Sequence, residues 1–133
     1  MSNNSGFEQT SYAHQVVIVT GSASGIGRSS AELIASRGAN VICVDLNQAG
    51  LDETVNLITK SGHQAQSALL DISNQNGIND LIKSVVNKHQ RIDALINCAG
   101  YPGPTGKFVE DISWDDYQNV ITVNLFGAIW LTQ

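Results

Sequence analysis

Cysteine is scarce in this 133-residue chain: there are two, Cys43 and Cys98, each alone within a strand-like apolar stretch. That spacing offers neither a disulfide framework nor a paired-thiol metal or redox motif, and it points to reduced, buried thiols in a cytoplasmic setting. Basic residues are also few, 7 lysines and arginines against 12 aspartates and glutamates for a net charge of −5. No basic stripe exists for a phosphate backbone to follow, so nucleic acid is not an expected partner. Long hydrophobic runs are missing as well. No apolar stretch approaches the roughly 20 residues that cross a bilayer, and Met1 to Tyr12 lacks both a signal peptide's apolar core and a transit peptide's arginines. No membrane partner is therefore expected, and residues 1–14 read as a flexible N-terminal tail ahead of one domain over residues 15–133. His14, His63 and His89 share no ligand spacing with each other or with a cysteine, so they read as surface histidines and no metal is expected. The two prolines, Pro102 and Pro104, both fall in the loop Tyr101 to Gly106, the one long irregular stretch.

Apolar residues make up 42% of the chain, arranged as short runs that alternate with amphipathic stretches. This alternation marks successive βαβ units and a parallel sheet. Four strands are predicted, Val16 to Thr20, Asn40 to Asp45, Gln66 to Asp71 and Ala94 to Asn97. The first helix is predicted from Gly25 to Arg37, with Gly38 after it in the left-handed position where helices commonly end. Gly62 takes that place after the second, whose buried face carries Leu51, Val55 and Ile58. In the third, Ile78, Leu81, Ile82, Val85 and Val86 recur at the spacing of one buried face. A last helix begins near Ser113, a capping residue, with Asp115 and Asp116 at its positive end. Its Tyr117, Val120, Ile121, Asn124, Leu125 and Ala128 fall on one side.

The most informative stretch is Thr20-Gly21-Ser22-Ala23-Ser24-Gly25-Ile26-Gly27-Arg28, with three glycines laid across the join of the first strand and first helix. Without a Cβ the backbone turns tightly and brings its N–H groups against a pyrophosphate at a helix N-terminus. Asp45 closes the next strand, where a carboxylate can accept hydrogen bonds from an adenosine ribose. A carboxylate there repels a 2′-phosphate, and the compensating cations are missing: Ser24 precedes the second glycine and Leu46 follows the aspartate. Dinucleotide binding with NAD in preference to NADP is the expectation.

The block Thr-Gly-x-x-x-Gly-x-Gly at Thr20 to Gly27 resembles the cofactor motif of the short-chain dehydrogenases/reductases, and further blocks follow in family order. Asp71-Ile72 resembles the acidic-hydrophobic pair that meets the adenine ring, and Asp93 to Gly100 resembles the fourth-strand block usually written Asn-Asn-Ala-Gly. Cys98 departs from it, standing where the family has a second asparagine, and reads as a small buried hydrophobe. Val123 to Gly127 is similar to the segment carrying an asparagine of the proton relay, which makes Asn124 the candidate catalytic residue. The resemblance implies an α/β fold, a Rossmann-type doubly wound parallel sheet, here with four strands and part of a fourth helix. Its implied cofactor-binding residues lie at four strand ends: Gly21, Ser24, Gly25, Ile26 and Gly27; Asp45 and Leu46; Asp71 and Ile72; Asn97, Ala99 and Gly100.

The family's chemistry is hydride transfer between a nicotinamide and the carbon of an alcohol or carbonyl substrate, in an enzyme that is commonly a homo-oligomer. Its proton is handled by a tyrosine with a lysine four residues on, beside a serine. Here Tyr12, Tyr101 and Tyr117 are followed at that spacing by Val16, Thr105 and Ile121. The chain therefore reads as the NAD-binding portion of a longer oxidoreductase; the alternative is a non-catalytic dinucleotide-binding fragment or inactive remnant. Nucleotide-binding or methyl-transfer proteins of similar fold also use glycine turns, but the ordered later blocks argue against them.

Overall fold

The computed structural model describes residues 11–133; residues 1–10, most of the expected N-terminal tail, lie outside the described residues. Tyr12, also assigned to that tail, donates its N–H to the Arg37 carbonyl at 2.9 Å and packs against the core, so the ordered domain begins before residue 15.

Four parallel strands, β1 (Val16–Thr20), β2 (Asn40–Asp45), β3 (Gln64–Leu69) and β4 (Ala94–Asn97), pair in the order β3-β2-β1-β4. β1 and β2 occupy the centre, and their unbroken apolar runs follow from being covered on both faces. Alternation along them divides the core. Val17, Val19, Val41 and Cys43 point to the layer that holds Ala31 and Ala35 of α1 (Gly25–Ser36) and Leu51 and Ile58 of α2 (Gln48–Lys60). Val16, Ile18, Ile42 and Val44 point the other way, to Val85 of α3 (Gln75–His89). The sheet is thus doubly wound, and chain order reverses between β1 and β4. In open α/β sheets that reversal opens a crevice beyond the strands' carboxyl ends.

Local chemistry accounts for the helix boundaries. Asn47 and Asn74 cap α2 and α3 by accepting from the Gly50 and Gly77 N–H groups. Gly38 and Gly62 take φ +100° and +84° after α1 and α2, as their positions required. Ser113 and Asp116 form a reciprocal capping box on α4 (Trp114–Ile121). Burial pushes the Cys43 thiol up to about 11, leaving it a packing residue.

Four expectations need correction. β3 starts and ends two residues earlier than Gln66 to Asp71, because its pairing with β2 fixes Gln64 opposite Asn40 and Leu69 opposite Asp45; a partly exposed edge strand needs no continuous apolar run. Val86 is exposed while Val85 beside it is buried, since α3 offers the sheet a narrower stripe than its apolar pattern suggested. His89 lies half-buried between the carboxamides of Asn40 and Gln66. Finally, Tyr117, Ile121 and Leu125 of the last helix are exposed. Its middle, Thr122–Gly127, is a π-helical segment that continues into α5 (Ala128–Thr132). The wide turn rotates the helix face, so that Val123, Trp130 and Leu131 reach Ile72, Ile78 and Leu95.

At the start of the sheet, Asp93 accepts the Val16 N–H at 2.7 Å and returns its own N–H to the Val16 carbonyl at 2.8 Å. Arg91 forks onto the same carboxylate. The Arg91 hydrogen bond, with help from the Val16 N–H, holds the Asp93 carboxyl below its ordinary range. A carboxyl lowered in the folded state contributes stability that is whole at neutral pH and is lost as pH falls through the carboxylate range. Asp93→Asn should therefore lower the urea midpoint at neutral pH and give a shallower decline than the parent below about pH 5. In the core, Ile42→Ala should cost about 2–5 kcal/mol, and exposed Val86→Ala no more than about 0.5 kcal/mol, each read from urea unfolding at unchanged slope.

Candidate functional site

A cleft of about 770 Å³ opens where the strand order reverses, between the carboxyl ends of the strands and the α4–π segment. Every residue expected from sequence to bind a cofactor lines it except Asn97. The turn after β1 forms its floor, Asp45 and Leu46 one side, Leu70 to Ser73 the next, and Cys98 to Tyr101 the far wall.

Three glycines shape the floor in three ways. Gly21 holds φ +68°, and a Cβ there would stand 2.7 Å from the Ala99 nitrogen and the Cys98 carbonyl carbon, so the chain leaving β4 can pass against it. A Cβ on Gly27 would overlap the Gly21 carbonyl, which lets α1 seat directly on the turn. Gly25 is different: at φ +54° nothing beyond its chain neighbours and its own helix backbone lies within 4 Å of its Cβ position. The space in front of it belongs to the cleft. Behind it stands the N-terminus of α1, whose N-cap residue Ser24 makes no side-chain capping bond and whose first turn contains no acid. The first N–H groups of a helix have no intrahelical partners, so this end presents donors and a positive dipole to the cleft.

Asp45 is anchored by the backbone around it. One carboxylate oxygen accepts the Ala23 N–H of the glycine turn at 3.0 Å, and the other accepts the Asn47 N–H at 3.0 Å. Each oxygen keeps a second acceptor site, so the carboxylate can still accept from a hydroxyl. Asp71, at the lip after β3, accepts the Ser73 N–H at 2.8 Å. Ile26 and Leu46 present exposed apolar side chains on the rim, 80% and 66% accessible.

The far wall depends on Thr20, which opens the glycine motif but was not among the residues expected to bind a cofactor. Thr20, fully buried at the end of β1, accepts the Cys98 and Ala99 N–H groups at 3.2 and 3.1 Å. Its signal in the sequence was a polar residue closing an otherwise apolar buried strand, which has to find hydrogen-bond partners. Asn97, the expected residue outside the lining, is 3.5 Å from the same hydroxyl. Asn124 projects from the π segment and holds the backbone of Tyr101 from both sides, accepting its N–H at 2.7 Å and donating to its carbonyl at 2.9 Å. Its carboxamide also lies beside Gly100. Asn119, Thr122 and Val123 complete the wall from the last helix; Thr122 and Val123 belong to the π turn, which alters which residues face inward. Among the described residues, no three His, Cys, Asp or Glu side chains are grouped to hold a metal ion.

Comparison with known proteins places relatives beside this fold. The model of the short chain dehydrogenase family matches residues 15–133. An uncharacterized oxidoreductase of Bacillus subtilis (strain 168) is 37% identical over 115 residues, which cover 86% of this chain and 42% of that protein. A metagenomic short-chain oxidoreductase solved in complex with NADP superposes with a TM-score of 0.85 at 30% identity, over 90% of this chain and 53% of its own. The NAD+-bound xylitol dehydrogenase superposes at 0.83 with 29% identity, over 92% and 47%. The chain thus spans about half the length of the proteins it matches.

Thr20→Val keeps the shape at the end of β1 but leaves the Cys98 and Ala99 N–H groups without their acceptor. It should destabilise the protein by about 1–3 kcal/mol and speed hydrogen exchange at those two amides ahead of the rest of β1.

Proposed function

The chain belongs to the short chain dehydrogenase family, and from that membership we propose that it is the NAD-binding portion of an oxidoreductase acting on a small alcohol or carbonyl compound. The observation that carries the reading is the uncapped N-terminus of α1 behind the open space at Gly25, with the Asp45 carboxylate anchored beside it in the same cleft. The open space at Gly25 leaves room for a phosphate group beside the turn, and the N–H groups there are of the kind that bind it. Asp45 accepts from the adenosine ribose hydroxyls through its free lone pairs. Ile26 and Leu46 offer exposed apolar surface to an adenine, with the largely buried Ile72 behind them in the cleft wall, and Ala99 and Gly100 allow the chain after β4 to come close to the rest of the coenzyme. When bound, the nicotinamide supplies the carrier of the hydride.

Cofactor choice follows from charge. A 2′-phosphate would meet Asp45, and the nearby guanidinium of Arg28 is engaged by Glu53 at 2.7 Å and the Ala23 carbonyl at 2.5 Å. Leu46 and Ser24 add no cation. The relatives include proteins solved with either coenzyme, so NAD rests on this local arrangement. Asn124, by fixing Tyr101 at the mouth of the far wall, is proposed to shape the region where substrate would meet the nicotinamide. None of the tyrosines in these 133 residues has a lysine four positions on, and the matched proteins extend well beyond the matched region. The groups that move the proton are therefore proposed to lie outside these residues. The exposed Tyr117, Ile121, Leu125 and Ile129 on the last helix fit a subunit contact in a homo-oligomer.

A second reading is a coenzyme-binding chain without catalysis, which uses the same cleft but turns nothing over. Turnover of NAD with a panel of alcohols by this polypeptide alone would overturn the second reading. Calorimetric titration tests the shared premise: NAD should bind with saturation and more tightly than NADP, and Asp45→Ala should weaken NAD about tenfold or more. Equal or tighter binding of NADP by the parent would overturn the assignment to NAD.

A further inference from the structure

Ala23 lies in the middle of the glycine turn and is held at both ends of its peptide backbone. Its N–H is donated to Asp45 at 3.0 Å. Its carbonyl accepts from the Arg28 guanidinium at 2.5 Å. Arg28 is itself fixed at three further points, to the Thr54 hydroxyl at 3.0 Å, the Glu53 carboxylate at 2.7 Å and the Gly50 carbonyl at 3.5 Å. Thr54 is fully buried and its one hydroxyl hydrogen is shared between the Ser22 and Gly50 carbonyls, at 2.8 and 2.9 Å, so the network returns to the turn from which it starts. A third restraint acts from the side: a Cβ on Gly50 would stand 2.7 Å from the Ala23 Cβ, so α2 lies hard against this residue. Arg28 does not line the cleft.

This arrangement has a mechanical result. A hydrogen bond to a peptide carbonyl constrains the plane of that peptide, and with it the two adjoining torsions. Arg28 is suited to such a hold because its planar fork makes several bonds in one fixed geometry and it never loses its charge. The Ala23 N–H belongs to the preceding peptide, joined to that of the carbonyl through the Ala23 Cα, so without Arg28 the turn gains freedom to rotate about Ala23 and the N–H loses part of what keeps it on Asp45.

We propose that Arg28 is a positioning residue for the coenzyme-facing carboxylate: held by Glu53 and Thr54, it pins the Ala23 carbonyl, so that Asp45 is kept at the angle that accepts a ribose diol and rejects a 2′-phosphate. Its contribution to coenzyme choice is therefore made through Asp45 and without contact with the coenzyme. The proposal rests on the assignment of the cleft to NAD.

A double-mutant cycle on coenzyme affinity tests it, with Arg28→Met, Asp45→Ala and the double variant titrated with NAD and with NADP. Arg28→Met should weaken NAD about tenfold and narrow the preference for NAD over NADP. In the Asp45→Ala background the same change should cost less than about twofold, because residues that act through one another are not additive. Equal losses in both backgrounds, or an unchanged preference, would make Arg28 a structural residue only and overturn the proposal. If Arg28→Met does not fold, Glu53→Gln decides the question. Glu53 is exposed, so this variant should melt within a few degrees of the parent while losing about two- to threefold in preference for NAD; no loss of preference overturns the proposal. Hydrogen exchange of the Ala23 amide without coenzyme separates this idea from the NAD reading. It should quicken in Arg28→Met and Glu53→Gln, and an unchanged rate overturns the proposal whichever coenzyme is bound. A parent that binds NADP as tightly as NAD overturns the NAD assignment instead.

Discussion

The structure turns on the crowding between the end of β1 and the chain leaving β4. Parallel strands must diverge at a reversal of strand order if a crevice is to open, yet their backbones here stay close enough that Gly21 has no room for a Cβ. A buried threonine hydroxyl supplies what the ladder no longer provides, accepting two N–H groups that would otherwise be orphaned at the edge of the cleft. The floor and the far wall of the cleft are positioned from this junction. The glycine turn begins there, α1 sits on that turn through Gly27, and the far wall is the chain Thr20 holds.

The second constraint is the way the turn is tied to its neighbours. Asp45 reaches from the end of β2 to an N–H of the turn, so the groups proposed to meet the two halves of an adenosine diphosphate are parts of one hydrogen-bonded unit. α2 is tied to that unit through Thr54 and Gly50. Such an arrangement is preorganised: its donors and acceptors are aimed before a ligand arrives, and less ordering accompanies binding. The chain's acidic character, net −5, gives no general attraction for a dinucleotide. Local dipoles at the α1 terminus and specific acceptors have to supply it.

Much of this was legible in the sequence. The unbroken apolar runs of β1 and β2 announced strands covered on both faces, and Gly38, Gly62 and Ser113 marked helix ends because few other residues satisfy the backbone at those places. The glycine spacing and Asp45 also sufficed to locate the cleft, since both stand at strand ends that a parallel sheet must bring together. What escaped was set by tertiary contact. The ends of β3 depend on its register with β2, which no local pattern encodes. The inward face of the last helix depends on a π turn, which shifts the periodicity on which its reading was based. The Arg28–Thr54–Ser22 network is made of residues 22–54, far apart along the chain and individually ordinary. His89 looked like a surface residue because the carboxamides on either side of it come from two different strands.

Backbone rather than side chains encloses the cleft at its tightest points. Gly21 meets Cys98 and Ala99, Gly27 meets Gly21, and a Cβ on Gly127 would stand 2.8 Å from the Ile72 carbonyl oxygen, bringing the last helix onto the loop after β3. Shape and chemistry are thereby assigned to different positions. The width of the cleft is set where nothing larger than hydrogen fits, while its surface is set by side chains such as Ser24, Ile26 and Leu46 that stand free of the packing. An engineer, or natural variation, can exchange the second group to suit another ligand without reopening the question of whether the first still folds.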